Sequence, residues 1–262
     1  MQTLRRHKKI VLVVILLVTV LIVSLFVAQC LSKPSLTHVP SPTPTPAPTA
    51  FTPAPTATPS PTPVGTPLLQ PGEISQYNGT NLTSVRDFID ETLLHPDVAI
   101  GGTQTIDPSN YQLTIGGDVN STLELSYNDV IDNFTAHQQV ATLLCVEGWR
   151  VTILWQGTLL SDILQQAGAD PNATTLIFYA SDGYTTSLPL DYVVQNNIMI
   201  AYKMNNVTLT PDTGWPFFLV ANNQYGYKWI MWLTQIDVSS DSSYLGYWES
   251  QGYPNNATII SG

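Results

Sequence analysis

The run IVLVVILLVTVLIVSLFVA, from Ile10 to Ala28, carries no charge, and Arg5, Arg6, Lys8 and Lys9 precede it. A stretch this apolar has no place on the surface of a water-soluble fold. Its 19 residues, at about 1.5 Å of helical rise each, reach about 29 Å, the depth of a bilayer's hydrocarbon core. The basic cluster predicts that the N-terminus stays in the cytoplasm and that everything after Cys30 is exported. A cleaved signal peptide is the rival reading, although the apolar run exceeds the usual length of its core, and VAQC, ending at Cys30, loosely matches a lipid-attachment site. The expectation is a single-pass cell-membrane protein with residues 1–33 as a transmembrane anchor and its C-terminal domain outside the cytoplasm.

Residues 34–67 are dominated by Pro, Thr and Ala. Such a tract lacks both apolar surface to bury and many backbone donors, so it reads as an extended, solvated stalk, open to O-linked sugar on its threonines. Asn-x-Ser/Thr sequons start at Asn78, Asn81, Asn120, Asn133, Asn172, Asn206 and Asn256, which fits a glycosylated outer surface. All 19 Asp and Glu residues lie beyond the stalk, where the only Lys and Arg are Arg86, Arg150, Lys203 and Lys228. An exported part this acidic excludes nucleic acid as a partner, because phosphate backbones require basic patches. The membrane is reached through the N-terminal helix alone.

What remains suffices for one core-bearing domain: a lead-in segment over 68–104, then the domain proper over 105–262. Leu82, Val85, Phe88, Ile89 and Leu93 recur at helical spacing within 82–97, with Thr83 or Ser84 as cap and Pro96 as stop. This helix reads as packing, without chemistry of its own. Strands are expected at 111–117, 138–146, 151–157, 175–181, 187–194, 198–204, 216–222 and 228–238, the last five segments including one short helix. Helices are expected after Ser126 and over 160–168, the latter capped by Ser161 and ended by Gly168. The elements do not alternate in a βαβ rhythm, so the fold class is α+β with mixed sheets.

The chain lacks a Gly-x-Ser-x-Gly elbow, a phosphate loop, a Cys-x-x-Cys pair and a His-Glu-x-x-His helix. His95 and His137 are the only histidines beyond the stalk. Attention falls on LLCVEGWR, 143–150, which holds Cys145, the one thiol of the exported part. It is buried filler, a reactive thiol or a soft metal ligand. Gly148 lets backbone approach a ligand there, and Arg150 offers an anion contact.

LLCVEGWR with W-x-G at 155–157 and LSDILQQAG resembles the cysteine segment of the sulfite-oxidase-type molybdopterin-binding domains. SDGYTTSLPL, AYKMNNVTLTPDTGWPFFLV, YGYKWIMWLTQIDV and GYWESQGYP follow in the same order, so the likeness runs over about 110–254. It implies the mixed-sheet α+β sulfite-oxidase fold and two-electron oxygen-atom transfer. It further implies Cys145 as ligand of a molybdenum or tungsten held by molybdopterin, with Tyr184 and Arg150 positioning a small substrate. Lys228, Gly226, Tyr227 and Trp149 are the implied cofactor contacts. An electron-transfer partner is also implied, since the chain carries no haem motif. Thr213 stands where the family has histidine, Phe218 where it has arginine and Met231 where it has a second lysine, while Asn205-Asn206 replaces an Asn-Gly. These changes remove groups that hold a phosphate, Arg-to-Phe most of all.

Two functional classes follow. One is an exported, membrane-tethered molybdopterin oxidoreductase. The other is the same fold with its cofactor lost, displayed on the stalk as a binding or adhesion module.

Overall fold

The computed structural model describes residues 69–95 and 97–259. The expected anchor over 1–33 and the expected stalk over 34–67 lie outside the described residues; among the described residues no helix is long and apolar enough to cross a membrane.

A short hairpin, β1 (Gln76–Tyr77) and β2 (Thr80–Asn81), opens the described chain and leads into helix α1 (Val85–Leu94). Ser84 caps α1 by accepting from the Asp87 N–H at 3.0 Å, which satisfies one of the donors a helix start leaves open. Val85 and Phe88 are buried, so α1 lies against the body. Glu73 fixes its start: one carboxylate oxygen accepts from the Val85 N–H at 2.7 Å, the other from the Gln70 N–H at 2.9 Å.

Two five-stranded sheets form the body. The first runs β4 (Leu123–Leu125), β3 (Leu113–Gly117), β12 (Leu233–Ser239), β7 (Thr175–Ala180), β8 (Thr185–Pro189). Its β3–β12 pair is parallel and the others antiparallel, so this sheet is mixed. The second runs β10 (Val207–Thr208), β9 (Met199–Met204), β6 (Arg150–Leu159), β5 (Ala136–Leu144), with β11 (Phe218–Val220) also on β9. All of its pairs are antiparallel. The α+β, mixed-sheet expectation holds.

Three short helices complete the fold: α2 (Tyr127–Asn133), α3 (Leu160–Ala167) and α4 (Leu190–Gln195). Ser126 and Asp129 form a reciprocal capping box on α2. Gly168 ends α3 in the left-handed region at φ 65°. Ser161 does not cap α3, which starts directly off β6 with Leu159 at the cap position. The Leu160 N–H is met instead by the Ile198 carbonyl at 2.9 Å, so no side-chain cap is needed there. The strand expected over 228–238 is also shorter: Gly226–Lys228 is a 3-10 turn, and Trp232, at φ 51°, breaks the extended run before Leu233.

The core between sheets and helices is aromatic. Trp155 stacks on Phe218 with centroids 4.8 Å apart, and Phe88 of α1 meets both edge-on at 6.0 and 6.1 Å. Edge and offset contacts of this kind add about 0.5–1.5 kcal/mol each beyond the area they bury. The lead-in segment is thereby part of the core.

Candidate metal and cofactor site

Strand β5 delivers Cys145 to a tight turn, and the turn explains the spelling Cys-Val-Glu-Gly-Trp. The Cys145 N–H donates to the Trp149 carbonyl and the Gly148 N–H donates to the Cys145 carbonyl, both at 3.0 Å. Closing that turn places Gly148 at φ 97°, a region open to glycine at no steric cost. The turn buries the Cys145 side chain, which is 5 % exposed, in a cavity.

Four expected site residues meet at this cavity: Cys145, Trp149, Gly226 and Tyr227 all line it. Gly226 permits the close approach of its 3-10 turn, since a Cβ there would stand 3.2 Å from Leu143 Cδ2 and 3.7 Å from Cys145 Cα. The Trp149 indole N–H is buried without a partner.

Three other expected residues sit elsewhere. Arg150 follows Trp149 on the first position of β6, and successive side chains of a strand point to opposite faces. It therefore faces a separate hollow beside Thr142, Asn222 and Asn223, not Cys145. Tyr184 is fully buried behind the cavity, its hydroxyl donating to the Tyr227 carbonyl at 2.5 Å. Burial pushes that phenol well above its ordinary pKa, with Glu249 adding to the shift, so it stays a donor. Lys228 is fully buried too, and its ammonium ion donates to Glu249, to the Ser187 carbonyl at 2.9 Å and to Asn255 Oδ1 at 2.8 Å. Burial pulls the Lys228 pKa down while Glu249 holds it up. The charge expected to neutralise a cofactor is already matched within the protein.

The lead-in segment corrects its own reading as mere packing. Thr92, His95, Asp97 and Val98 form one wall of the cavity. Cys145 Sγ donates to Asp97 Oδ2 at 3.6 Å. One ligand atom each from Asp97, Cys145 and Glu147 lies within 4.8 Å of the others. His95 stacks on Trp149 at 5.6 Å and bonds through Nδ1 to the Glu147 carboxylate. Trp248 and Tyr253 also line the cavity, and Trp248 Nε1 donates to the Asp97 carbonyl at 2.6 Å. Burial raises the Cys145 pKa from 9.0, the Asp97 and Glu147 charges raise it further, and the Glu147 backbone N–H works against them. The thiol is held protonated until a cation arrives, and a metal would ionise it.

Residues 100–248 match the profile of the family described as oxidoreductase molybdopterin binding domain. The chain belongs to this sulfite-oxidase-type molybdopterin-binding family. It is 34 % identical over 148 residues to the uncharacterized oxidoreductase YuiH of Bacillus subtilis, covering 56 % of this chain and 74 % of that one. It is 30 % identical over 178 residues to the mitochondrial sulfite oxidase of Rattus norvegicus, covering 56 % of this chain but only 32 % of that longer protein. The sulfane dehydrogenase SoxCD of Paracoccus pantotrophus superposes with a TM-score of 0.51 at 21 % identity, over 53 % of this chain and 41 % of that one, and so shares the fold.

Membership in a molybdopterin-binding family implies a molybdopterin carrying molybdenum, and the residues present fit one end of that group. A soft thiolate suits the metal, and Trp149, whose buried N–H has no partner, lines the same cavity. The anionic tail is not matched: among the described residues no Lys or Arg lines the cavity. Phe218 and Met231 line it where the family resemblance places arginine and lysine. The cavity volume, about 30 Å³, admits water, whereas cofactor pockets measure roughly 300–1,000 Å³. Seating the whole cofactor requires its walls to part.

Proposed function

We propose that the protein is an exported, membrane-tethered oxidoreductase in which Cys145 ligates the metal of a molybdopterin. The family membership of residues 100–248 supports the oxidoreductase class. The observation that carries the site assignment is the buried Cys145 thiol, which a glycine-closed hairpin holds in a cavity beside an unpartnered indole N–H. When bound, a molybdenum or tungsten pterin supplies two-electron oxygen-atom transfer to or from a small substrate. The chain's own part is to ligate through Cys145, to wall the metal with Trp149, Gly226 and Tyr227, and to limit access through the 92–98 segment. Tyr184 and Lys228 act from behind, fixing the Tyr227 carbonyl and tying the C-terminal segment to the body through Glu249.

Export is supported by the charged, apolar N-terminus and by the seven sequon asparagines, every one of which is exposed. The electrons pass to or from a separate partner at the same membrane face.

Metal analysis of the full chain, purified from a host that makes molybdopterin, tests the reading. Close to one molybdenum or tungsten per chain is expected, lost in Cys145→Ser while the circular dichroism is kept. A metal-free wild-type protein from that host overturns it. Protease and glycosidase treatment of intact cells tests the topology: cleavage inside sealed cells only, with no sugar released, rejects export.

A further inference from the structure

We propose that the outer edge of β5 is a docking groove for an extended peptide segment ending in a free carboxylate, taken up as an added strand with Arg150 on its terminal charge. This stands apart from the oxidoreductase reading and does not draw on it.

Strand β5 lies at the end of its sheet and pairs with β6 alone along Ala136–Leu144. The hydrogen bonds of β6 say which β5 groups are left over. Thr152 spends its backbone groups on Thr83: its N–H donates to Thr83 Oγ1 at 3.0 Å, and its carbonyl accepts from the Thr83 N–H at 2.8 Å. Leu154 likewise donates to Asn205 Oδ1 at 3.1 Å and accepts from the Asn205 N–H at 2.8 Å. Both residues thus point their backbone groups away from β5. Residues opposite one another in an antiparallel pair exchange either both bonds or neither, in alternation. Their partners Thr142 and Val140 therefore aim N–H and C=O outward, as does Gln138 two residues back. Leu144, next in that series, forms a parallel bridge to Tyr225. Among the described residues nothing meets the backbone groups of Gln138, Val140 and Thr142 on that side. Proteins ordinarily blunt such an edge with charge, proline or a bulge. Ala136–Leu144 holds no Lys, Arg, Asp, Glu or Pro, and its register with β6 is unbroken.

Beside that edge lies a cleft whose walls include Val140, Thr142, Arg150, Asn222, Asn223 and Ile259. Its volume, about 360 Å³, falls within the range of ligand sites, roughly 300–1,000 Å³. The Leu144–Tyr225 bridge closes one end, and Arg150, opposite Leu144 in the β5–β6 register, stands at that end. A strand laid parallel to β5 must stop there. Its terminal carboxylate then meets the guanidinium, with the side-chain amides of Asn222 and Asn223 as further donors. Charge selects this occupant. Arg150 is the one charged residue of the lining, and among the described residues no carboxylate pairs with it, although acidic residues far outnumber basic ones beyond the stalk. A basic peptide finds no acid in the cleft, and a small anion leaves the row of backbone groups unmet. In strand addition the main-chain bonds supply affinity; here the carboxylate sets direction and register.

The test uses the full chain in detergent micelles and a fluorescein-labelled pentapeptide, Thr-Val-Thr-Val-Val. It is made as the free acid, as the C-terminal amide, and as two free acids N-methylated at alternate positions, one set each. Fluorescence anisotropy reads affinity, and hydrogen exchange reads place. The free acid should bind and slow the exchange of amides within Ala136–Leu144. The amide should bind about 5-fold more weakly, the worth of one exposed ion pair at its upper end. Arg150→Gln should weaken the free acid by the same factor and leave the amide unchanged. One of the two N-methylated sets should fail to bind, because only alternate N–H groups face β5. Val140→Pro keeps every β5–β6 bond, since proline is tolerated on an edge strand where its missing N–H faces outward, and it should weaken acid and amide alike. Equal affinity for acid and amide overturns the proposal, as does binding of both N-methylated sets at the parent affinity, or protection confined to other segments. A dimer seen by sedimentation that Val140→Pro dissolves assigns the edge to a second copy and overturns it too. Should Val140→Pro fail to fold, the N-methylated peptides decide.

Discussion

Replacing Glu249 by leucine should destabilise the protein more than most single substitutions. Lys228 and Glu249 are both shielded from water, each side chain 0 % exposed. Glu249 Oε1 also accepts from Thr186 Oγ1 at 2.8 Å, and the ammonium ion reaches Ser187 and Asn255. Removing one member leaves the other as an uncompensated buried charge, a loss of about 3–5 kcal/mol. Glu249→Leu leaves Lys228 with only a carbonyl and an amide oxygen; Lys228→Met leaves Glu249 with only a hydroxyl. The double variant Lys228→Met/Glu249→Leu puts two apolar side chains in contact and should recover most of the loss, since buried pairs often break even against hydrophobic substitutes. Urea unfolding of the full chain can be followed by the emission of buried tryptophans, among them Trp229, adjacent to Lys228. With a slope of roughly 2–3 kcal/mol per molar, a loss of about 4 kcal/mol lowers the midpoint by about 1.3–2 M. The coupling between the two sites should exceed about 2 kcal/mol. Single variants within about 0.5 kcal/mol of wild type, or losses that simply add in the double variant, would refute the reasoning.

Gly157→Ala should abolish soluble protein, because a Cβ there would lie 2.0 Å from the Ile200 carbonyl oxygen and 2.6 Å from Ala201 Cα, backbone atoms of β9 that cannot move aside; recovery of folded protein at wild-type yield counts against the β6–β9 register. Ser126→Ala removes the hydroxyl half of the α2 capping box, leaving the backbone N–H bond to Asp129, and should cost about 1 kcal/mol, read as a lowered urea midpoint. Phe88→Ala should cost about 3–5 kcal/mol. By loosening α1 it should also speed neutral alkylation of Cys145 in the metal-free chain, and an unchanged alkylation rate would show that α1 does not control access to the thiol.

The fold was legible wherever local chemistry decides. Ser126 and Ser84 cap helices because their hydroxyls find an N–H three residues on, and Gly168 ends α3 because glycine alone adopts its backbone cheaply. The misreadings lie where tertiary contacts displace a local rule. Ser161 is a sound cap by propensity, yet β6 runs straight into α3, and a carbonyl from the turn before β9 meets the first N–H. The aromatic run around Trp229 alternates like a strand, yet it turns at Gly226–Lys228 so that Gly226 can reach Cys145 and Lys228 can reach Glu249.

The site divides on the same line, and the division says how this chain departs from a bare scaffold. Cys145, Trp149, Gly226 and Tyr227 stand in two short segments whose resemblance to the family's cysteine and cofactor-contact segments already marks them. Asp97 and His95 carry no such mark: they follow an ordinary amphipathic helix, 48 and 50 residues before the thiol by subtraction of their numbers. Only docking reveals them, and docking rests on contacts remote in sequence. Asn205, fully buried, receives the Leu154 N–H at 3.1 Å and donates to the Thr83 carbonyl at 2.7 Å, while Glu73 holds the first N–H of α1. Phe218, which packs against Phe88, is one of the departures from the family pattern. Where the family resemblance places a phosphate-holding arginine, this side chain instead packs on the segment that brings Asp97 to Cys145. The Phe88–Phe218 contact and the carboxylate beside the thiol therefore belong to one arrangement, because the segment that carries Asp97 is docked through α1.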